Sequence, residues 1–340
     1  KIQKILDSGD FDKYDECEEI MKEALSVGSE SDGGIDVFHA IEDVLSDDFR
    51  KPIPTGLVGL DNLMDGGLSK GELGVILAPF GVGKTTLVTR MANTAYNLGY
   101  NVVQIFFEDN PKVIQRKHFT CWTEIPLNDL TERKDDVKKT IEGFKDRKGN
   151  LILKKMPSDG TTIPNIKQYL RKLISTGMKP DVIFLDYIDC VESTKQFKDD
   201  YSGEGPIMRQ FETMIAELNI AGWTAIQGNR SSIGANVVEA DMIGGSIKKG
   251  QIGHFIMSVA KTLEQKEEGR ATLAILKSRF GKDGIIFEDI IFDNGSLKID
   301  TEETGDVSFL QFEKGEDKRR SDMVIQAMAK KEERMKKKKQ

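Results

Sequence analysis

An apolar run, residues 73–77, leads straight into Ala78-Pro79-Phe80-Gly81-Val82-Gly83-Lys84-Thr85-Thr86, and a helical pattern follows over 85–97. A strand, a glycine-rich loop and a helix in that order restrict the fold sharply. Gly81 and Gly83 let backbone N–H groups turn inward around phosphate oxygens, and the helix start adds the positive end of its dipole. In such a P-loop, Lys84 reaches the β- and γ-phosphates of ATP and the Thr85 hydroxyl ligates Mg2+. Ala78, Val82 and Thr86 complete the cradle. Ala78 takes the first motif position, where glycine is usual, while the later glycines and the Lys-Thr pair are intact. The bland alternative is a glycine-rich turn with a chance lysine, and the flanking strand and helix weigh against it.

A second run, Val182-Ile183-Phe184-Leu185-Asp186, ends in a carboxylate that such a sheet sets beside the P-loop, where it holds the Mg2+ shell. Alone this pattern is weak; about a hundred residues after a P-loop it is specific. Hydrolysis also needs a group that orients water. Glu108 follows the strand candidate 102–107 and is expected as general base at the carboxyl edge of the sheet, with Asp109 the competing carboxylate.

Strand candidates at 73–77, 102–107, 151–154, 182–185, 224–227, 254–259 and 271–276 alternate with helices. That alternation predicts an α/β fold: a mainly parallel sheet flanked by helices. Asp293-Asn294-Gly295 then marks a tight turn between 285–292 and 297–299, an antiparallel hairpin. Three parts are expected: linker or docking helices in 1–50, the ATPase domain in 51–300, and a polar helix with a lysine-rich tail in 301–340. Apolar positions predict helices over 1–27 and from Val37 to Leu45, with a flexible linker over 26–34. They cover the domain's own core or dock on a neighbouring subunit. Ser321 could cap a last helix over 322–335.

The net charge of −7 over 340 residues argues against nucleic-acid binding by the whole surface, but not by a local basic channel. No apolar run approaches the roughly 20 residues that cross a bilayer. Three scattered cysteines, Cys17, Cys121 and Cys190, suit neither zinc nor a disulfide scaffold and fit a reducing, cytoplasmic setting.

Pro54-Thr55-Gly56-Leu57-Val58-Gly59-Leu60-Asp61, Gly66-Gly67-Leu68, Lys70-Gly71-Glu72-Leu73 and the P-loop resemble the opening of RecA-like ATPases. That group includes DnaB-type helicases, RadA-type recombinases and KaiC-type ATPases. Gln227-Gly228-Asn229-Arg230-Ser231, Gly244-Gly245-Ser246-Ile247-Lys248-Lys249 and Leu276-Lys277-Ser278-Arg279-Phe280-Gly281 then occur in the order of DnaB-family replicative helicases, with a similarity to phage members. The resemblance covers about residues 54–299 and implies a RecA-like ATPase core that forms a homohexameric ring on single-stranded DNA, served by a primase and a helicase loader. It implies that Lys84, Thr85 and Asp186 bind Mg-ATP and that Glu108 is the catalytic carboxylate. It implies that Gln227 senses the γ-phosphate, and that Lys277 and Arg279 serve the neighbour's ATP. Without the resemblance those two cations read as a solvated strand edge.

Two loops are expected to face DNA. One follows Asp186 and includes Lys195, Lys198, Asp199, Asp200, Tyr201, Ser202, Gly203 and Arg209. The other runs from Asn229 to Lys249, with Arg230, Ser246, Lys248 and Lys249 as phosphate contacts. Met242-Ile243 stand where bacterial members carry charged residues, and a solvated turn is the alternative for Lys248 and Lys249. A recombinase filament and a regulatory ATPase without DNA remain the competing functions.

Overall fold

All five residues of Val182–Asp186 and all six of Leu73–Ala78 are buried, because both faces of their sheet are covered. The computed structural model describes residues 41, 45–46, 50–144, 147–194, 200–244, 248–302 and 307–309. The helices expected in 1–27 and 322–335, the linker over 26–34 and the lysine-rich tail lie outside these, as does most of the helix expected from Val37. The chain divides into two units, Lys1–Arg50 and Lys51–Gln340, and the elements named below belong to the second. In chain order they are α1 (Val58–Leu63), β1 (Leu73–Ala78), α2 (Lys84–Asn97), β2 (Val102–Phe106), α3 (Pro111–Thr123), α4 (Lys134–Glu142), β3 (Leu151–Lys155), α5 (Ile163–Ser175), β4 (Val182–Asp186), α6 (Asp200–Leu218), β5 (Ala221–Gln227), α7 (Lys248–Ile252), β6 (Phe255–Ala260), α8 (Leu263–Glu268), β7 (Arg270–Ser278), β8 (Ile285–Phe292), β9 (Ile299–Asp300) and β10 (Val307–Phe309).

Among the described residues one sheet runs β10-β8-β7-β6-β1-β5-β4-β2-β3, with β9 beside β8. From β6 to β3 every pairing is parallel. Pairings that involve β7 to β10 are antiparallel. All seven expected strands are present, and the expected hairpin forms with Phe292 opposite Ile299. Strand β7 departs from the alternating pattern, since it runs antiparallel to β6. Its connection is too short for a parallel crossover, which takes about a dozen residues or more. The link holds only α8, closed by Gly269 in the left-handed region (φ 67°), and the chain turns back on itself.

Alternate residues of each strand feed two cores. Leu73, Val75 and Leu77 of β1 join Ile166 and Leu170 of α5 and Phe211, Met214 and Ile215 of α6. Ile76 and Ala78 join Leu87, Val88 and Met91 of α2 and Trp223 of β5 on the other face. Each such large apolar side chain contributes about 1.5–3 kcal/mol by leaving water. The sheet is thereby a rigid plate whose carboxyl edge carries the P-loop.

A polar chain crosses the α2 side of that plate. Asn93 of α2 donates to Nδ1 of His118 on α3 at 3.3 Å. His118 Nε2 donates to Gln104 of β2 at 2.9 Å, and Gln104 donates to Thr89 of α2 at 3.1 Å. Three elements that carry cleft residues are thus held at fixed spacing. His118 is 1% exposed, and burial pushes its pKa down to about 3 from 6.5. The unfolded chain binds this proton below about pH 6.5 and the folded chain does not. The residue's contribution to stability is therefore complete above that pH and is lost on acidification, by about 1.4 kcal/mol per pH unit. Relative to His118→Gln, the parent is expected to lose about 2 kcal/mol of unfolding free energy between pH 7 and pH 5. Denaturant titrations at the two pH values check this, and parallel profiles for the two proteins would refute it.

Candidate nucleotide site

Strand β1 delivers residues 79–83 to the sheet's carboxyl edge, and α2 begins there. Gly83 caps α2 with φ 119°, a left-handed conformation that suits glycine. A Cβ at this position would stand 2.3 Å from Asn294 Oδ1 and 2.9 Å from Phe292 Cε1, so space demands glycine as well. The first turn of α2 carries no acidic residue, which leaves its N–H groups suited to an anion.

The Lys84 ammonium donates to the carbonyls of Ala78 and Pro79, each at 3.1 Å, and lies 5.9 Å from the Tyr187 ring centroid. Burial lowers its pKa, opposed by the charges of Asp186, Asp189 and Glu108. Asp186 ends β4 at 7% exposure and accepts a hydrogen bond from the Thr85 side chain. Burial raises its pKa; the Thr85 hydrogen bond and the charges of Lys117 and Lys84 pull it back. Two hard oxygen donors next to a phosphate loop are the donor set Mg2+ prefers, so the residues fit that ion.

Strand β2 ends one residue earlier than expected, at Phe106. Beyond it Glu108 Oε1 accepts from the Tyr187 hydroxyl at 3.2 Å, while its carbonyl accepts from Lys155 at 3.0 Å. Asp109, the competing carboxylate, also lines the cleft and lies 4.0 Å from Lys117. Gln227, the last residue of β5, faces the same cleft. The cleft has a volume of about 470 Å³ and brings together Gly81, Gly83, Lys84, Thr85 and Thr86 of the loop and helix with Glu108, Asp186 and Gln227.

Among the other residues that line it, sequence reasoning missed the polar Tyr187, Lys117 and Asn294. Tyr187 follows Asp186 directly, so strand-end position was a usable signal. Lys117 sits on α3, where a lysine ordinarily reads as solvated. Asn294 was read only as a turn residue; its amide donates to the Val82 carbonyl at 3.4 Å, which seats the β8–β9 turn on the P-loop.

Lys277 and Arg279 lie elsewhere. Ser278 pairs with Phe255, and Phe255 with Gly74, near the start of β1. The two cations therefore stand at the amino edge of β1, about 13 Å or more along the strands from the P-loop. Lys277 donates to the Gln251 carbonyl at 2.6 Å, and Arg279 is exposed.

The expected DNA contacts are dispersed. Arg230 is exposed in a short 3-10 turn just beyond Gln227. Arg209, also exposed, lines a groove between α5 and α6 and not the nucleotide cleft. Ser246 and the Lys248 side chain lie outside what the structure describes, as do Lys195, Lys198, Asp199 and the side chains of Asp200, Tyr201, Ser202 and Gly203. Lys249 is 3% exposed and its ammonium is paired with Asp189 and Glu204. A lysine so enclosed cannot also meet a phosphate chain, and the expectation of a DNA contact there is withdrawn.

A phosphate-wrapping loop and a buried carboxylate at the carboxyl edge of parallel strands define a P-loop nucleotide-binding protein. Within that class the chain belongs to the DnaB-like helicase C terminal domain family, whose model matches residues 52–294. It is 25% identical over 274 residues to the DnaB-like replicative helicase of Enterobacteria phage T4, covering 77% of this chain and 58% of that protein. It is 28% identical over 219 residues to the replicative DNA helicase DnaB of Helicobacter pylori, covering 61% of this chain and 45% of that protein. The chain thus spans about half the length of the curated relatives it matches. Its fold is similar to a DnaB-like replicative helicase whose structure was described together with its interactions with primase, with TM-score 0.68, 17% identity and coverage of 82% of this chain and 70% of that one. It is also similar to a second solved structure, described as an ATPase domain, with TM-score 0.66, 18% identity and coverage of 76% and 94%. Among the described residues no helix is long and apolar enough to cross a membrane.

Proposed function

We propose that this chain is the motor of a replicative DNA helicase, hydrolysing ATP between adjacent copies in a homohexameric ring to move on single-stranded DNA and unwind duplex. One observation carries the reading. The cleft holds a P-loop, a buried Asp and a strand-end Glu, and no arginine is found among its described lining residues. Arg279 instead stands exposed at the far edge of the same sheet, where it is suited to a neighbour's nucleotide.

In this reading Lys84 and the α2 N–H groups bind the phosphates, and Thr85 and Asp186 would hold Mg2+, which would supply positive charge to offset that of the phosphates. Glu108 orients the attacking water and takes its proton, with the Tyr187 hydroxyl steering the carboxylate. Arg279 and Lys277 of the adjacent copy neutralise the charge that develops in the transition state. Gln227 reports the γ-phosphate to the loop that begins at Gly228, and Arg230 with Lys248 and Ser246 contacts the strand. Residues 1–50 link and dock the ATPase domain of 51–300, and that domain extends past residue 300, since Val307–Phe309 add strand β10 beside β8. A primase and a loader serve the ring in the cytoplasm, the host's if the chain is phage-encoded.

The test is ATP hydrolysis by the full chain with and without oligo(dT), alongside its size with ATP. The expected result is DNA-stimulated turnover by a particle of six copies. An open filament, or full-speed hydrolysis by a single copy indifferent to DNA, overturns the reading.

A further inference from the structure

The peptide of Gln227 is gripped on both sides. Its N–H donates to Asp189 Oδ2 at 2.9 Å, and its carbonyl accepts from the Gly244 N–H at 2.8 Å. A Cβ at position 244 would stand 2.4 Å from that carbonyl, so the approach depends on glycine. One lysine then joins both partners. Lys249 pairs with Asp189 through its ammonium, reaches the Glu204 carboxylate at 3.0 Å, and donates to the Gly244 carbonyl at 3.4 Å. Gln227, Asp189, Lys249 and Gly244 close a ring of polar contacts, and Glu204 ties that ring to α6.

The ring has two faces. On one, Gln227 lines the nucleotide cleft, and the charge of Asp189 acts on Lys84. On the other lies the base of the loop between β5 and α7, where Gly228 bridges Ile243 and Asn229 N–H donates to the Met242 carbonyl at 2.8 Å. That loop carries Arg230.

Burial of an ammonium is tolerable only while its carboxylates stay in place. A shift of Gln227 that drags Asp189 must therefore carry Lys249, Gly244 and Glu204 along, or strand a buried charge. The ring moves as one body. Apolar residues of similar shape would serve packing as well as these charges do, so packing alone does not call for the triad.

We propose that the Asp189–Lys249–Glu204 triad is the linkage that passes the state of the nucleotide cleft, read at Gln227, to the loop 228–244 and to α6, and so sets how strongly DNA accelerates hydrolysis. The three are positioning residues: none lines the cleft itself. The inference rests on the motor reading given above.

The test uses the full chain, with Glu204→Gln and Lys249→Met made singly and together. Glu204→Gln keeps the shape of the side chain and removes one charge, so it remains informative if Lys249→Met fails to fold. Two quantities are read: hydrolysis without and with saturating oligo(dT), and oligo(dT) affinity with and without a non-hydrolysable ATP analogue. DNA-free turnover is expected to stay within about twofold of the parent, while the stimulation ratio falls about fivefold or more. The nucleotide dependence of oligo(dT) affinity also shrinks, because the same linkage carries the binding coupling between the two sites. The double variant is no worse than the weaker single one, as members of one unit behave. Variants that melt like the parent and keep both its stimulation and its nucleotide-dependent affinity overturn the triad. A parent that is itself indifferent to oligo(dT) overturns the motor reading, and the proposal with it.

Discussion

Lys84→Ala is expected to lower ATP hydrolysis by about a hundredfold to a thousandfold, the scale seen when one preorganised donor to a transition state is removed. The reason lies in where the ammonium sits. It is held against the Ala78 and Pro79 carbonyls at 3.1 Å, within reach of the charges of Asp186, Asp189 and Glu108. Removing it leaves the buried Asp186 with less compensating charge and the phosphates without their central cation. Lys84→Arg should not rescue turnover, because a planar guanidinium cannot replace a compact ammonium inside so tight a loop. Phosphate release checks the rate, and a melting curve checks that the variant folds. Near-parental hydrolysis by a folded Lys84→Ala protein would remove the P-loop from the mechanism.

Arg279→Ala is expected to reduce turnover by about a thousandfold or more while nucleotide affinity changes little. Arg279 is exposed and stands at the amino edge of the sheet, whereas the cleft opens at the carboxyl edge. Loss of its charge therefore leaves the phosphate loop of its own chain intact. Mixing supplies the decisive control. Arg279→Ala contributes a whole P-loop and Lys84→Ala a whole finger, so interfaces that pair the two in that order regain a complete site. Neither protein hydrolyses ATP alone, and the mixture recovers part of the parental rate. Normal turnover by Arg279→Ala, or no recovery on mixing, would refute the shared site.

What was legible in the sequence was local or periodic. The P-loop residues are adjacent in the chain, and strands buried on both faces are apolar at nearly every position, so β1, β2 and β4 stood out, together with Asp186 at the end of β4. Glu108 was placed by its position after a strand and Gln227 by the family resemblance, and both line the cleft. Residues brought in by tertiary folding were not legible. Asn294 meets Val82 across 212 positions of chain. Lys117 nears Asp109 and Asp186 only because α3 folds back over the edge of the sheet. Lys249 read as a phosphate contact because it follows a glycine-rich stretch; its carboxylate partners, remote in sequence, could not be guessed. The direction of β7 was misread because a short α8 resembles the start of a crossover helix until the length of the whole link is weighed.

The placement of phosphate loop and Arg279 on opposite rims of one rigid sheet has a consequence for symmetry. With Arg279 serving a neighbour's ATP as proposed, each copy would carry a socket on one side and a plug on the other, and the contact between copies would be heterologous. A two-fold pair that matches like surfaces would leave both sockets without their plug and be catalytically silent, however tightly it held. On that proposal, only repetition of the same directional step, closed into a cycle, would give every ATP its second half.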